Sequence, residues 1–267
     1  MIRPIALLTD FGSQDIFVGV LKGVILSVNP WASVTDLGHG VPPQDIGAGA
    51  FFLSTAYSYF PQGTIFCTVV DPGVGSERRA VAVETEHYHF VGPDNGVLFP
   101  AAEADGIKTV VELNRDGFFL DSVSNTFHGR DIFAPVAAHL SLARDILDLG
   151  DEIKASGLTS LAFPAPSSVE GGVRLSILHV DIYGNLTLNL TRKEFDQYCG
   201  NGFSISVGGY NIQRFHPAYA HGSDDTPFVL EASSGYMEIA VKNQSAARIL
   251  GLGTRDDLIM KLDTVLS

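Results

Sequence analysis

Residues 5–8 form a short unbroken apolar run closed by Thr9-Asp10-Phe11-Gly12, a pattern that predicts a buried strand ending in a turn. Beyond the turn, Phe17, Val18, Leu21, Val24, Ile25 and Val28 recur at helical spacing, which predicts a helix with Ser13 as its N-cap and Asn29-Pro30 as its stop. A second helical segment is expected after Val41-Pro42-Pro43-Gln44-Asp45. Residues 64–70 read as a buried, β-branched strand cut off by Asp71-Pro72-Gly73. Strands at 80–84 and 88–91 follow, backed by the turn Pro93-Asp94-Asn95-Gly96. Short apolar runs alternating with helical periodicity predict a layered α/β domain, in which ligands bind beyond the carboxyl ends of the strands. Asp10 and Asp71 each close a predicted strand and are candidates for one cleft.

The pattern changes after residue 156, where Ser, Pro and small residues dominate and Phe163-Pro164-Ala165-Pro166-Ser167-Ser168 reads as a linker. Beyond it, strands are expected at 173–180, 203–207, 228–231 and 237–241, with one helix at 192–198. The expected organisation is an N-terminal layered α/β (Rossmann-like) catalytic domain over 1–158, a linker over 159–172, and a smaller C-terminal β-barrel-like domain over 173–267.

Composition narrows the function. The 267 residues are 45% hydrophobic and 18% charged, with 28 glycines and 13 prolines and no repeat, as in a turn-rich globular protein. A formal net charge of −13 argues against a nucleic-acid surface, which needs clustered Lys and Arg, and suits a cationic or zwitterionic small ligand. Cys67 and Cys199 have no metal-site spacing and support no disulfide framework. No signal-peptide core and no apolar run of membrane-spanning length is present, so a cytoplasmic protein is expected. Dinucleotide fingerprints, Walker A loops and His-Glu-x-x-His helices are absent from the sequence, which removes support for redox-cofactor and triphosphate chemistry.

Two clusters carry candidate chemistry. In Asp71-Pro72-Gly73-Val74-Gly75-Ser76-Glu77-Arg78-Arg79 a glycine loop can fold Arg78 back onto Asp71, a pairing that favours the charged carboxylate and lets it orient water. The same residues also suit an ordinary Asp-Pro-Gly turn with surface arginines. In Asn125-Thr126-Phe127-His128-Gly129-Arg130-Asp131, at a loop-to-helix junction, His128 can share a proton with water near neutrality; the alternative is a structural histidine with Asp131 as helix cap. Asp10 can accept hydrogen bonds from a ribose diol or cap a helix. Farther on, Asp181-Ile182-Tyr183-Gly184-Asn185 ends a strand with an acid, an aromatic ring and an amide, and fits either a purine and ammonium site or a hairpin turn. Ser233-Ser234-Gly235-Tyr236 and Lys242-Asn243-Gln244-Ser245 are weaker signals of the same kind.

Taken together, Thr9-Asp10-Phe11-Gly12, His39 with Val41-Pro42-Pro43-Gln44-Asp45-Ile46, Val70-Asp71-Pro72-Gly73-Val74-Gly75, Gly92-Pro93-Asp94-Asn95-Gly96 and Thr126-Phe127-His128-Gly129-Arg130-Asp131 resemble the S-adenosylmethionine hydroxide adenosyltransferase family. That family is related to fluorinating and chlorinating enzymes acting on the same substrate. The resemblance implies hydrolysis of S-adenosyl-L-methionine to adenosine and methionine, with no cofactor, in a homotrimer whose substrate lies between the N-terminal domain of one subunit and the C-terminal domain of the next. It implies that Asp71, Arg78 and His128 hold and deprotonate the attacking water. It further implies that Asp10 binds the ribose hydroxyls, Asp181 the methionine ammonium, Asn185 the adenine, and Ser233 and Ser234 the methionine carboxylate region, with Tyr183 and Asn243 as further ligands. Halogenating relatives carry a tyrosine at the position of Asp71, where an anion would repel halide, and Gly129 offers no hydroxyl. A halogenase therefore ranks below a hydrolase. A non-catalytic S-adenosylmethionine or adenosine sensor would need Asp10 and Asp181 but not the Asp71 cluster. A metal-dependent hydrolase built on His39 and His128 would lose activity to a chelator.

Overall fold

The computed structural model describes residues 3–200 and 202–262; Met1, Ile2 and the last five residues, the ends of the expected N- and C-terminal domains, lie outside the described residues. The chain divides into two compact units, one ending at Ala162 and the other beginning at Phe163.

The first unit runs β1 (Ile5–Thr9), α1 (Phe17–Val28), β2 (Val34–Gly38), α2 (Ile46–Ala56), β3 (Ile65–Val69), β4 (Ala80–Thr85), β5 (His89–Pro93), α3 (Phe99–Asp105), β6 (Ile107–Leu113), α4 (Ala134–Ser141) and β7 (Gly150–Ile153). Among the described residues these strands form a seven-stranded sheet in the order β2-β1-β3-β5-β4-β6-β7. Neighbours from β2 to β5 are parallel, and the remaining pairs are antiparallel. Side chains alternate across a strand, so Ile5, Leu7, Ile65, Cys67 and Val69 pack on one face with Leu21 and Ile25 of α1 and Leu140 of α4. On the other face Ala6, Leu8, Phe66 and Val70 meet Leu53 of α2 and Ala101 of α3. Burial on both faces is why β1 and β3 read as continuous apolar runs, each fully buried Ile or Leu contributing about 1.5–3 kcal/mol.

This connectivity fixes where a ligand can sit. The chain leaves β1 for β2 on one side, then returns past β1 to β3 on the other, with α1 and α2 on opposite faces. Such a reversal of strand order opens a crevice at the carboxyl ends of the strands. Thr9 pairs with Val69 in register, so Asp10 and Asp71 leave the sheet at the same end. Behind them, Asn95 Nδ2 donates to the Val70 carbonyl at 2.8 Å, bracing the residue before Asp71. The neighbouring Asp94, 4% exposed, receives Arg79 and the Thr159 backbone N–H at 2.7 Å, a buried tie that anchors the end of this unit.

Ser13 does not cap α1. The helix starts only at Phe17, after Ile16, with no side-chain cap, because the chain first turns through Gly12 at φ 68° and a run of bends. Strands β2, β6 and β7 add to those expected.

The second unit comprises β8 (Ser167–Val169), β9 (Gly172–Val180), β10 (Leu186–Thr191), α5 (Arg192–Tyr198), β11 (Phe203–Val207), β12 (Tyr210–Ile212), β13 (Phe228–Glu231), β14 (Tyr236–Ala240), α6 (Ala246–Leu250) and β15 (Asp257–Leu262). Strand β8 thus lies inside the stretch expected as linker, paired with β9. Among the described residues the eight strands form one nearly barrel-shaped sheet in the order β12-β11-β15-β9-β10-β14-β13, with β8 beside β9. Its core is lined by Leu175, Ile177, Leu188, Met237, Ile239 and Met260. Helix α5 begins with a capping box in which Thr191 and Glu194 satisfy each other's backbone N–H groups. No helix among the described residues is long and apolar enough to cross a membrane.

Candidate active site

Just past β3 the Asp71 carboxylate, 5% exposed, meets the Arg78 guanidinium, 10% exposed, in a two-pronged contact: Nε to Oδ1 at 2.9 Å and Nη2 to Oδ2 at 2.5 Å. The fold-back is made by the 72–77 loop, whose Gly75 takes φ 77° and lies so close to the 120–128 loop that a Cβ would sit 2.3 Å from the Asn125 carbonyl oxygen. Arg78 also lies over the Phe133 ring, 5.3 Å from its centre.

The same Nη2 donates to His128 Nδ1 at 2.7 Å. Guanidinium has no acceptor, so His128 Nδ1 carries the lone pair and the neutral imidazole carries its proton on Nε2. Burial, and then the Arg78 charge, hold the His128 pKa below its usual 6.5. His128 opens a π-helical turn, Gly129–Phe133, of the kind that often re-aims side chains at functional sites. Asp131 in that turn is fully buried and is not a helix cap: its carboxylate accepts from the Ser124 N–H at 2.8 Å and from Arg130, pinning the loop ahead of His128. Gly129 lies close to β3, where a Cβ would meet Val69 Cγ1 at 3.2 Å. Three rings, Phe11, Phe17 and Phe127, pack with centres 5.4–5.8 Å apart and form an apolar wall beside the Asp10 turn and His128.

Asp10 itself accepts the backbone N–H of Gln44 at Oδ2, 2.8 Å away. His39 places Nδ1 2.9 Å from the Thr9 hydroxyl and Nε2 3.0 Å from an Asp36 oxygen, the second contact lacking hydrogen-bond alignment. Among the described residues, no group of three or more His, Cys, Asp or Glu is gathered as a metal cage would require.

In the second unit, Asp181, Tyr183, Asn185, Tyr219, Asn243 and Arg248 line a cavity of about 810 Å³. The Asp181 carboxylate organises its own turn: Oδ1 accepts from the Tyr183 and Asn185 backbone N–H groups, and Oδ2 from Asn185 Nδ2 at 2.9 Å. Asn185 is buried, whereas Tyr183 is 74% exposed. Asn243 stands in the left-handed region at φ 60° and donates to Asp224 Oδ1 at 3.0 Å. Four of the sequence candidates are therefore gathered at one cavity. Ser233 and Ser234 are not among its walls; they occupy the β13–β14 turn.

Sequence reading missed Tyr219 and Glu238. The Tyr219 hydroxyl donates to Glu238 Oε1 at 2.7 Å. Burial, with Asp181 nearby, raises the Glu238 pKa, and burial with Glu238 raises that of Tyr219. No local motif marks them, since Tyr219 opens a single 3-10 turn and Glu238 lies on β14, well apart in sequence. Arg248, also missed, lies on α6 behind Ser245, the N-cap of that helix.

Comparison with known proteins is consistent along the chain. The model of the SAM hydroxide adenosyltransferase N-terminal domain matches residues 5–150, and that of the C-terminal domain matches residues 175–259. An (R)-S-adenosyl-L-methionine hydrolase of Salinispora tropica is 37% identical over 260 residues, covering 95% of this chain and 96% of its own. One of the same name from Thermus thermophilus is 35% identical, covering 94% and 96%. A fluorinase of an Actinoplanes species is 27% identical over 76% of each chain. Among solved structures, an uncharacterized conserved protein from Thermotoga maritima superposes with a TM-score of 0.89 at 32% identity, covering 96% of this chain and 99% of that one.

Proposed function

The chain belongs to the SAM hydroxide adenosyltransferase family, and from that premise we propose that it hydrolyses S-adenosyl-L-methionine to adenosine and L-methionine by in-line attack of water on ribose C5′. The observation that carries the mechanism is the contact chain Asp71–Arg78–His128 at the carboxyl end of β3. The water oxygen forms the new bond to C5′. The C5′–S bond breaks with its electron pair going to sulfur, which leaves as the neutral thioether of methionine, so no general acid is needed. One proton must depart from the water, and it becomes strongly acidic as the C–O bond forms. Asp71, ion-paired yet still bearing free lone pairs, is the acceptor, and the His128 Nε2–H and Arg78 fix the oxygen in line. Holding nucleophile and substrate together removes about 7–11 kcal/mol of entropic barrier in favourable cases.

The substrate is read by both units. Asp10 takes the ribose hydroxyls, Asp181 the ammonium, Asn185 the adenine edge, and Tyr183 and Asn243 complete the cavity. Ser233 and Ser234 are the proposed carboxylate ligands. The water-activating group belongs to the N-terminal unit, a Rossmann-like domain in this reading, and the cavity to the C-terminal unit. A homotrimer in which neighbouring subunits each contribute one of the two accounts for that division. S-adenosyl-L-methionine is the substrate, and no cofactor enters.

Incubation in oxygen-18 water with chloride and a chelator tests the reaction. Adenosine labelled at the 5′ oxygen, with methionine, is expected by mass spectrometry. A chlorinated nucleoside, loss of turnover to the chelator, or tight binding without turnover would each replace this reading. The acid limb provides a second test. Because the folded His128 pKa lies below 6.5, Nδ1 stays free to accept from Arg78 down through that pH, and protonation breaks the contact only in more acid solution. Turnover is expected to hold from about pH 8 to 6.5 and then fall, and His128→Gln, which cannot titrate, is expected to lose that limb. A limb centred above 6.5 would contradict the assignment.

A further inference from the structure

The segment Val41-Pro42-Pro43-Gln44-Asp45-Ile46 has no role in the mechanism above, yet it contains one of the few non-glycine residues with left-handed backbone: Gln44 at φ 66°. A residue with a Cβ is sparsely found there, and such conformations persist when their surroundings over-determine them. The surroundings do so here. The two prolines fix the approach, and Asp45 N–H returns to the Pro42 carbonyl at 3.0 Å. Asp45 then becomes the N-cap of α2, accepting from Ala48 N at 3.0 Å. Between these constraints the chain can turn only through Gln44.

The consequence of that turn is the direction of one N–H. Gln44 N–H points at Asp10 Oδ2, 2.8 Å away, while the Gln44 side chain is exposed. His39, just ahead of the segment, grips the Asp10 turn twice more, through Gly12 N–H to the His39 carbonyl at 2.8 Å and through the Thr9 hydroxyl and His39 Nδ1 at 2.9 Å. We propose that Gln44 is a positioning residue for substrate binding: its left-handed backbone, not its side chain, holds one oxygen of Asp10 so that the carboxylate is preset for a vicinal diol. The proposal rests on the reading of Asp10 as the ribose ligand.

A backbone role predicts an unusual order of variants. Gln44→Gly and Gln44→Asn, which accept a positive φ, should keep KM within about twofold, and Gln44→Val, β-branched and ill-suited to it, should raise KM about tenfold, the loss of one charge-assisted hydrogen bond. Gln44→Ala should fall between, which keeps the series informative if the Val variant folds poorly. The discriminating measurement repeats it with a substrate analogue lacking the ribose hydroxyls. The Val penalty should then disappear, whereas a merely structural defect would persist. Equal KM values for Gly and Val, or a penalty unchanged with the analogue, would overturn the proposal. Asp10→Asn separates the two levels: if it leaves KM unchanged, the ribose reading fails and this proposal with it. If it raises KM while Gln44→Val does not, only the role of Gln44 falls.

Discussion

Asp71→Asn is expected to lower kcat on S-adenosyl-L-methionine about a thousandfold while KM stays within about threefold, because the substitution removes the proposed acceptor of the water proton and leaves the proposed substrate ligands in place. The amide has nearly the shape of the carboxylate but can accept on one oxygen only, so the two-pronged Arg78 contact at 2.9 and 2.5 Å cannot survive intact. Arg78 is 10% exposed and would be left without its anion, a change that costs about 3–5 kcal/mol where a buried pair loses one partner. A fall in melting temperature should therefore accompany the loss of rate, and the two effects need separating. The double variant Asp71→Asn with Arg78→Met does so: removing the orphaned charge should restore much of the thermal stability and none of the turnover. Product formation in single-turnover mixing, alongside thermal melts of the same samples, supplies both readouts. Near-parental turnover by Asp71→Asn would remove Asp71 as the proton acceptor, and recovery of turnover in the double variant would show that the single defect was one of folding.

The parts of this arrangement differ in how far sequence alone reveals them. The fold-back of Arg78 onto Asp71 is local: a glycine-rich loop after a buried strand brings the residues together with little choice of geometry, and the expectation matches the contact. His128 is different. Its approach to Arg78 spans fifty positions and depends on the π turn and on the buried Asp131 carboxylate pinning residue 124, none of which leaves a periodic mark. Its local sequence leaves it open between a proton-sharing and a structural histidine, and family resemblance, not spacing, favours the first. Strand β10 escaped for another reason. Its residues alternate apolar and polar, but Asn189 disfavours a strand by propensity, and the polar face is itself buried, with Asn189 satisfied by the Ser176 N–H and the Pro164 carbonyl. Likewise β2 and β7 are edge strands with exposed polar positions, where the core supplies no hydrophobic pattern. Tertiary hydrogen bonds, in each case, decided what propensity left open.

In the C-terminal unit the largest effect is expected from Gly184→Ala, which should raise KM about thirtyfold or more and leave the rate from bound substrate comparatively unharmed. Gly184 sits at φ 84°, and an added Cβ would lie 2.0 Å from Ser245 Oγ and 2.9 Å from Ser245 Cα. Neither neighbour can give way cheaply. Ser245 caps α6 through Arg248 N–H at 3.1 Å, and Ala247 N–H donates to the Gly184 carbonyl at 2.8 Å, so the turn and the helix start are locked together. Forcing them apart displaces Asp181 and Asn185 on one side of the cavity and Asn243 on the other. Backbone strain of about 1–2 kcal/mol adds to an overpacking cost of about 1–3 kcal/mol. Gly209→Ala is the matched control: it has φ 80° but open space around the position, so it carries the backbone strain alone. Calorimetric titration of both variants with substrate, in an Asp71→Asn background whose turnover is about a thousandfold slower, measures binding directly. Weak binding by Gly184→Ala against near-normal binding by Gly209→Ala would tie the cavity to the substrate. Equal affinities despite a lowered melting temperature would mean that the substrate is held elsewhere.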